Sequence, residues 1–191
     1  MRPERMNAFT DGVIAILITI LVLELRPPEG HHLADILDEK GQLLAYVLSF
    51  VVVATYWLNH HHLMQVVQRI DGRTLWANML LLFCLSLTPV ATAWLGGAGV
   101  EPGPVAAYAI VLLACAIAYT LLTLALLALH ETDSQLKQAI GRDVKGRISL
   151  AAYCVALGFA WVQPWVSVAL FVAVEIVWFI PDRRVVRTLL G

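Results

Sequence analysis

Long apolar stretches separated by short polar segments limit what this chain can fold into more than any other feature. A helix needs about 20 mainly apolar residues to cross the ~30 Å hydrocarbon layer of a bilayer. Six stretches approach or reach that length: residues 9–25, 43–64, 75–95, 104–129, 148–162 and 164–180. The composition agrees. Of 191 residues, 60% are hydrophobic and 14% charged, against roughly 25% charged in soluble domains. A water-soluble globule and a disordered chain are both excluded. The expected class is an all-α integral membrane protein with six transmembrane helices in a single domain, residues 1–191. A net charge of −1 offers no basic field to nucleic acid. Cys84, Cys115 and Cys154 all fall in apolar runs, which predicts buried free thiols and neither disulfides nor a metal site.

Basic residues set the expected orientation. Arg2 and Arg5, then Arg69 and Arg73, then Lys137, Arg142, Lys145 and Arg147, then Arg183, Arg184 and Arg187 alternate along the chain with loops that carry only Arg26 and Lys40. The positive-inside rule therefore places both termini in the cytoplasm of a multi-pass inner-membrane protein. The first external loop is acidic, with Glu29, Asp35, Asp38 and Glu39. The last two runs are short, and Gln163-Pro164 divides them. They are read as two helices, near 148–162 and 164–180, with one kinked helix as the alternative. The first run is read as retained and not a cleaved leader, because Leu25-Arg26-Pro27-Pro28 holds no small-residue cleavage site.

The first helix carries most of the information. Val13 to Leu25 makes only about 20 Å of helix, whereas a start near Arg5 gives about 31 Å, enough to cross. Helix 5–25 then contains Asp11. An aspartate at a helix centre costs about 2.5–3.5 kcal/mol, less near the interface. Asp11 therefore either meets donors from neighbouring helices, where Asn59, His60, His61, Trp57 and Asn78 are available, or snorkels to the headgroups. Ala8, Gly12, Ala15 and Thr19 recur at helical spacing as a small-residue face suited to close packing. Ile16, Ile20 and Leu23 form a bulky aliphatic face pointing elsewhere, which in an ordinary bundle meets lipid or core.

Arg5-x-x-x-Phe9-Thr10-Asp11-Gly12-Val13-x-Ala15-Ile16, with Thr19 to Leu25 beyond it, resembles the first-helix signature of the bacterial transmembrane protein 175 potassium channels. Their Arg-x-x-x-Phe-Ser-Asp pattern is met except at Thr10, which keeps the hydroxyl. Tyr56-Trp57-Leu58-Asn59-His60-His61 is similar to their Trp-x-x-His segment, and Asn78 with the Leu-rich run to Pro89 to their third helix. The resemblance implies a homotetramer whose first helices surround a central pore. It also implies passive, modestly selective potassium conduction, with no resident cofactor and no enzymatic activity. The constriction then falls on Ile16, with Ile20 and Leu23 above it and Thr19 offering a hydroxyl. Arg5, Phe9, Thr10 and Asp11 are implied to form a polar network with Trp57, His60 and Asn78. Partners are then copies of the same chain, lipid and monovalent cations.

Other residues are less specific. Adjacent histidines on a helix point about 100° apart, so His60, His61 and His62 do not share a metal ion. One inward-facing histidine and two near the interface is the expected arrangement. Glu24 is either an ordinary interfacial carboxylate or a charge at the pore mouth that concentrates cations. Glu175, deep in the last run, is unassigned; intramembrane acids are functional candidates by default. His31 and His32 lie in the acidic external loop, where metal binding would be adventitious. His130–Arg147 reads as a cytoplasmic linker, and Gly96-Gly97-Ala98-Gly99 with Pro102 and Pro104 as a tight external turn. A proton-coupled or other secondary transporter and a non-conducting structural subunit are the competing readings. An intramembrane enzyme lacks a nucleophile–base pair.

Overall fold

The computed structural model describes residues 2–130 and 144–179, all helix, turn or loop. Helix α1 spans Glu4–Leu23, 20 residues, or about 30 Å. The chain then runs extended through Pro27 and Pro28, which cannot continue a helix, and the Arg26 backbone N–H donates to Gln42 Oε1 at 3.1 Å. A 3₁₀ helix, Leu33–Glu39, leads directly into α2, Lys40–Gln65. Asp71 caps α3, Gly72–Ser86: its Oδ1 accepts from the Thr74 backbone N–H and from the Thr74 hydroxyl, both at 2.8 Å. Helix α4 covers Thr88–Ala98 and α5 covers Pro102–Leu129. Helices α6, Val144–Phe159, and α7, Pro164–Phe179, complete the bundle.

The run expected as one helix over 75–95 is two, divided at Leu87. Pro89 has no N–H for the Leu85 carbonyl, and its ring crowds that carbonyl. The α3 half packs chiefly on α5, and the α4 half chiefly on α2. The last two runs are separate helices packed against each other as a hairpin, and not one kinked helix. Ser167 Oγ clasps the pair by donating to the Ala156 carbonyl at 2.6 Å. Among the described residues, four helical segments are long and apolar enough to cross a bilayer: Glu4–Leu23, Leu33–Gln65, Gly72–Ala98 and Pro102–Leu129. Helix α7 is apolar but shorter.

Helix α5 is the axis of the core. It lies between the α3–α4 pair and the α6–α7 hairpin, and buries Tyr108, Leu112, Cys115, Leu122 and Leu126. Tyr108 and Tyr153 pack on Phe171, with ring centroids 5.3 and 6.4 Å apart. Ser49 of α2, Thr92 of α4 and Tyr108 of α5 form a buried hydroxyl cluster: Thr92 Oγ1 is 2.6 Å from Ser49 Oγ, which is 2.8 Å from Tyr108 Oη. Gly96 permits the close approach of α4 to α2, since a Cβ there would lie 2.9 Å from the Gln42 Cα. Gly96 and Gly97 are helical, so the expected turn is confined to residues 99–101, with Gly99 at φ +80°.

One expectation needs correction. Cys84 and Cys115 are buried as anticipated, but Cys154 is exposed, because an apolar residue of a membrane helix can face lipid as readily as core. The small-residue face of α1 packs on no described residue of the chain: Ala8, Gly12, Ala15 and Thr19 are all exposed. The bundle is contacted by Met6, Thr10, Ile14, Leu17 and Leu21 instead. Lys137, Arg142, Arg183, Arg184, Arg187 and most of the linker expected at 130–147 lie outside the described residues.

Candidate functional site

Met6, Thr10, Ile14, Leu17 and Leu21 recur every three or four residues and turn one stripe of α1 into the protomer. The rest of α1 is left open. Ile16 is 59% exposed, Ile20 37% and Leu23 78%. Phe9 is exposed on the same side, and the small residues lie beside it. A Cβ built on Gly12 would meet no atom within 4 Å. Both stripes read from the sequence thus share one uncovered face about half the helix circumference wide. Thr19 lies on it, and its hydroxyl donates to the Ile16 carbonyl at 2.7 Å.

Behind that face the polar residues of three helices meet. Asn78 of α3 sits between α1 and α2: its Nδ2 donates to Thr10 Oγ1 at 2.9 Å, and its Oδ1 is 2.9 Å from His60 Nε2. With the amide oriented so, His60 Nε2 carries the proton and donates. All three residues are buried. One turn earlier on α2, Trp57 Nε1 donates to Asp11 Oδ1 at 2.9 Å, and the Trp57 ring stacks on His61 at 5.6 Å. Neighbouring residues of α1 point about 100° apart. Thr10 therefore enters the buried chain of bonds, while Asp11 meets Trp57 at the exposed edge.

Arg5 and Phe9 are exposed and are not brought into that network. Asn59 is turned to its own helix, donating to the Thr55 carbonyl at 2.7 Å. His60 faces inward while His61 and His62 are exposed, and no cluster of metal-ligating side chains occurs among the described residues. Glu24 caps the end of α1 and borders a small pocket with Gln42, Tyr46 and Gly96. Glu175 is buried on α7 among residues of α2, α5 and α6. The Ser49–Thr92–Tyr108 cluster was not read from the sequence. Its only signal is isolated hydroxyls in apolar helices, which their own backbone can satisfy, as Thr92 does at the Thr88 carbonyl.

A family model described as the endosomal/lysosomal potassium channel TMEM175 matches residues 5–89, which spans α1 to α3 and the start of α4. A potassium channel of Chryseobacterium sp. (strain P1-3) is 42% identical over 189 residues, 99% of this chain and 98% of that protein. A potassium channel of Streptomyces collinus is 30% identical over 86% of this chain and 85% of that one. The crystal structure of a lysosomal potassium-selective channel TMEM175 homolog from Chamaesiphon minutus superposes with a TM-score of 0.75 at 31% identity, covering 92% of this chain and 95% of that one.

Proposed function

The chain belongs to the TMEM175 family and is a membrane-embedded potassium channel, and from that premise we propose that its ion pathway is built from α1. Four copies assemble about a central axis, each with six membrane crossings and both termini in the cytoplasm, in the inner cell membrane. The observation that carries this reading is the uncovered face of α1. Ile16, Ile20 and Leu23 are apolar, yet the protomer leaves them open. A symmetry axis gives that face partners: the small residues allow neighbouring helices close, and the branched side chains converge as rings. Thr10, Asn78 and His60 then hold the pore helix at a fixed rotation against α2 and α3.

An aliphatic ring strips part of an ion's water without replacing it. Potassium is larger and more weakly hydrated than sodium, so it crosses at lower cost. No ligand compensates the lost water, so the preference is modest. Potassium is the permeant ion and no resident cofactor takes part. Glu24, at the external end of α1, makes a ring of four carboxylates at the mouth and raises the local cation concentration.

The test is recording from purified protein in planar bilayers under potassium, sodium and caesium gradients, alongside Ile16→Ala and Ile16→Asn. Larger currents or an eroded potassium-to-sodium ratio are expected. Glu24→Gln is expected to lower current at low salt and to matter little at high salt. Unchanged conductance and permeability ratio in both Ile16 variants would remove the constriction from α1. Saturating, counter-ion-coupled flux would indicate a transporter, and absence of current a structural subunit.

A further inference from the structure

Glu175 lies away from α1, and the conduction pathway makes no use of it. It is 5% exposed. Thr55 and Tyr153 line the same cavity beside its carboxyl, and its Oε2 has no hydrogen-bond partner among the described residues. It lines a cavity of about 30 Å³ between α2, α5, α6 and α7. The space reaches Gly146 and Trp178, near the described start of α6 and end of α7. The titratable groups around Glu175 are Tyr56 of α2, Cys115, Tyr108 and Tyr119 of α5, and Tyr153 of α6. The phenols and the thiol supply no positive charge to balance a carboxylate, and the Lys145 ammonium is placed over the Trp178 ring at the edge of the cavity.

The other polar groups of the lining offer oxygen lone pairs more than protons. The Thr120 hydroxyl proton is committed to the Ala116 carbonyl at 2.8 Å. Ser149 donates to the Lys145 carbonyl at 2.9 Å and accepts from Trp178 Nε1 at 2.8 Å, which leaves one lone pair. One Asn59 amide N–H is committed to the Thr55 carbonyl, which leaves its second N–H and its Oδ1 acceptor. Aromatic rings make up much of the remaining wall: Tyr56, Tyr119, Tyr153 and Trp178. Trp178 already carries one ammonium, with Lys145 Nζ 5.5 Å from its ring centroid. A buried acid with a vacant oxygen, accepting groups and aromatic walls together select a cation that donates hydrogen bonds and tolerates an apolar shell. A strongly hydrated metal ion is poorly matched to such walls, and no set of three metal-ligating side chains stands here among the described residues.

We propose that this cavity binds one compact primary ammonium ion per chain, with its N–H groups on Glu175 Oε2 and the neighbouring oxygen acceptors and its alkyl part against the aromatic rings. The site is separate from the α1 pathway and does not depend on it.

The probe is radiolabelled methylammonium in equilibrium dialysis against the purified channel at pH 8. One saturable site per chain is expected in the wild type, weakened at least tenfold in Glu175→Gln and severalfold in Asn59→Leu. The second variant keeps the test decisive if the first fails to elute as a folded assembly. Three results would each overturn the proposal: no saturable binding to the wild type, equal binding by the variants, or displacement by potassium at the concentrations at which unlabelled methylammonium displaces. Currents recorded from the same preparation separate the two readings: amine binding without conduction removes the pore and leaves the site, and conduction without amine binding does the reverse.

Discussion

Thr10→Val tests the buried chain of bonds behind α1 with little change of shape. Valine fills the threonine volume but removes the oxygen that accepts from Asn78 Nδ2. Thr10 and Asn78 are both buried, so the Asn78 amide N–H is left without its partner. An unsatisfied buried group of this kind costs about 1–3 kcal/mol. Asn78→Leu is expected to cost more, about 2–6 kcal/mol, because it strands both Thr10 and His60. The double variant should be no less stable than Asn78→Leu alone, since the Thr10 bond is already gone. The coupling is then the whole cost of Thr10→Val, within the range of about 0.5–3 kcal/mol seen for contacting residues. Thr10→Ser keeps the hydroxyl and should stay near wild type. The assay is unfolding of the purified protein by titration with a denaturing detergent, followed by tryptophan fluorescence, on the wild type and all four variants. Additive losses in the double variant, or a neutral Thr10→Val, would show that the bond does not hold the helix.

Three further outcomes are expected. Asp11→Ala removes the acceptor of the Trp57 N–H and should reduce the yield of assembled channel on gel filtration before it changes the reversal potential; normal assembly with altered ion preference would reverse that order. Gly96→Ala puts a methyl group 2.9 Å from the Gln42 backbone, so α4 and α2 must separate, at about 1–3 kcal/mol; thermal unfolding in detergent measures it, and an unchanged midpoint would refute the close approach. The Thr74 backbone N–H, and then its hydroxyl, hold the Asp71 carboxyl below its ordinary value. A carboxyl lowered by folding contributes above its unfolded pKa of about 3.9, and that contribution is lost as pH falls through the lowered folded value. Protection factors, exchange rates relative to the intrinsic rate at each pH, should therefore fall at acid pH in the first turn of α3 in the wild type and be low already at neutral pH in Asp71→Ala, and equal protection in the two proteins at neutral pH would refute the cap.

Some of this arrangement was legible because lipid tolerates few polar side chains. His60, Asn78, Thr10 and Trp57 stand out against apolar neighbours, and each needs a partner the bilayer does not supply. The same environment hides the rest. In water an apolar stripe marks the buried face of a helix. Here the buried and the exposed residues of a helix are both apolar, so Ile14 and Ile16 look alike in sequence although one is buried and the other open. That is why Cys154 reads as core in the sequence although it is exposed. The division of the third run is signalled by Pro89 alone, and proline also occurs inside unbroken membrane helices. The setting of Glu175 depends on four helices, and no local pattern reveals it.

The joint at Leu87 has a consequence for how the protein tolerates change. Because the backbone hydrogen-bond ladder is interrupted there, the two halves of that crossing answer to different neighbours. Asn78 sits on one side, braced by α5, while Thr92 and Gly96 sit on the other, fitted to α2. A shift in the α4 half is absorbed at the joint and does not travel down a continuous rod. The α4 half can therefore be remodelled by substitution while the grip of Asn78 on α1 stays in register.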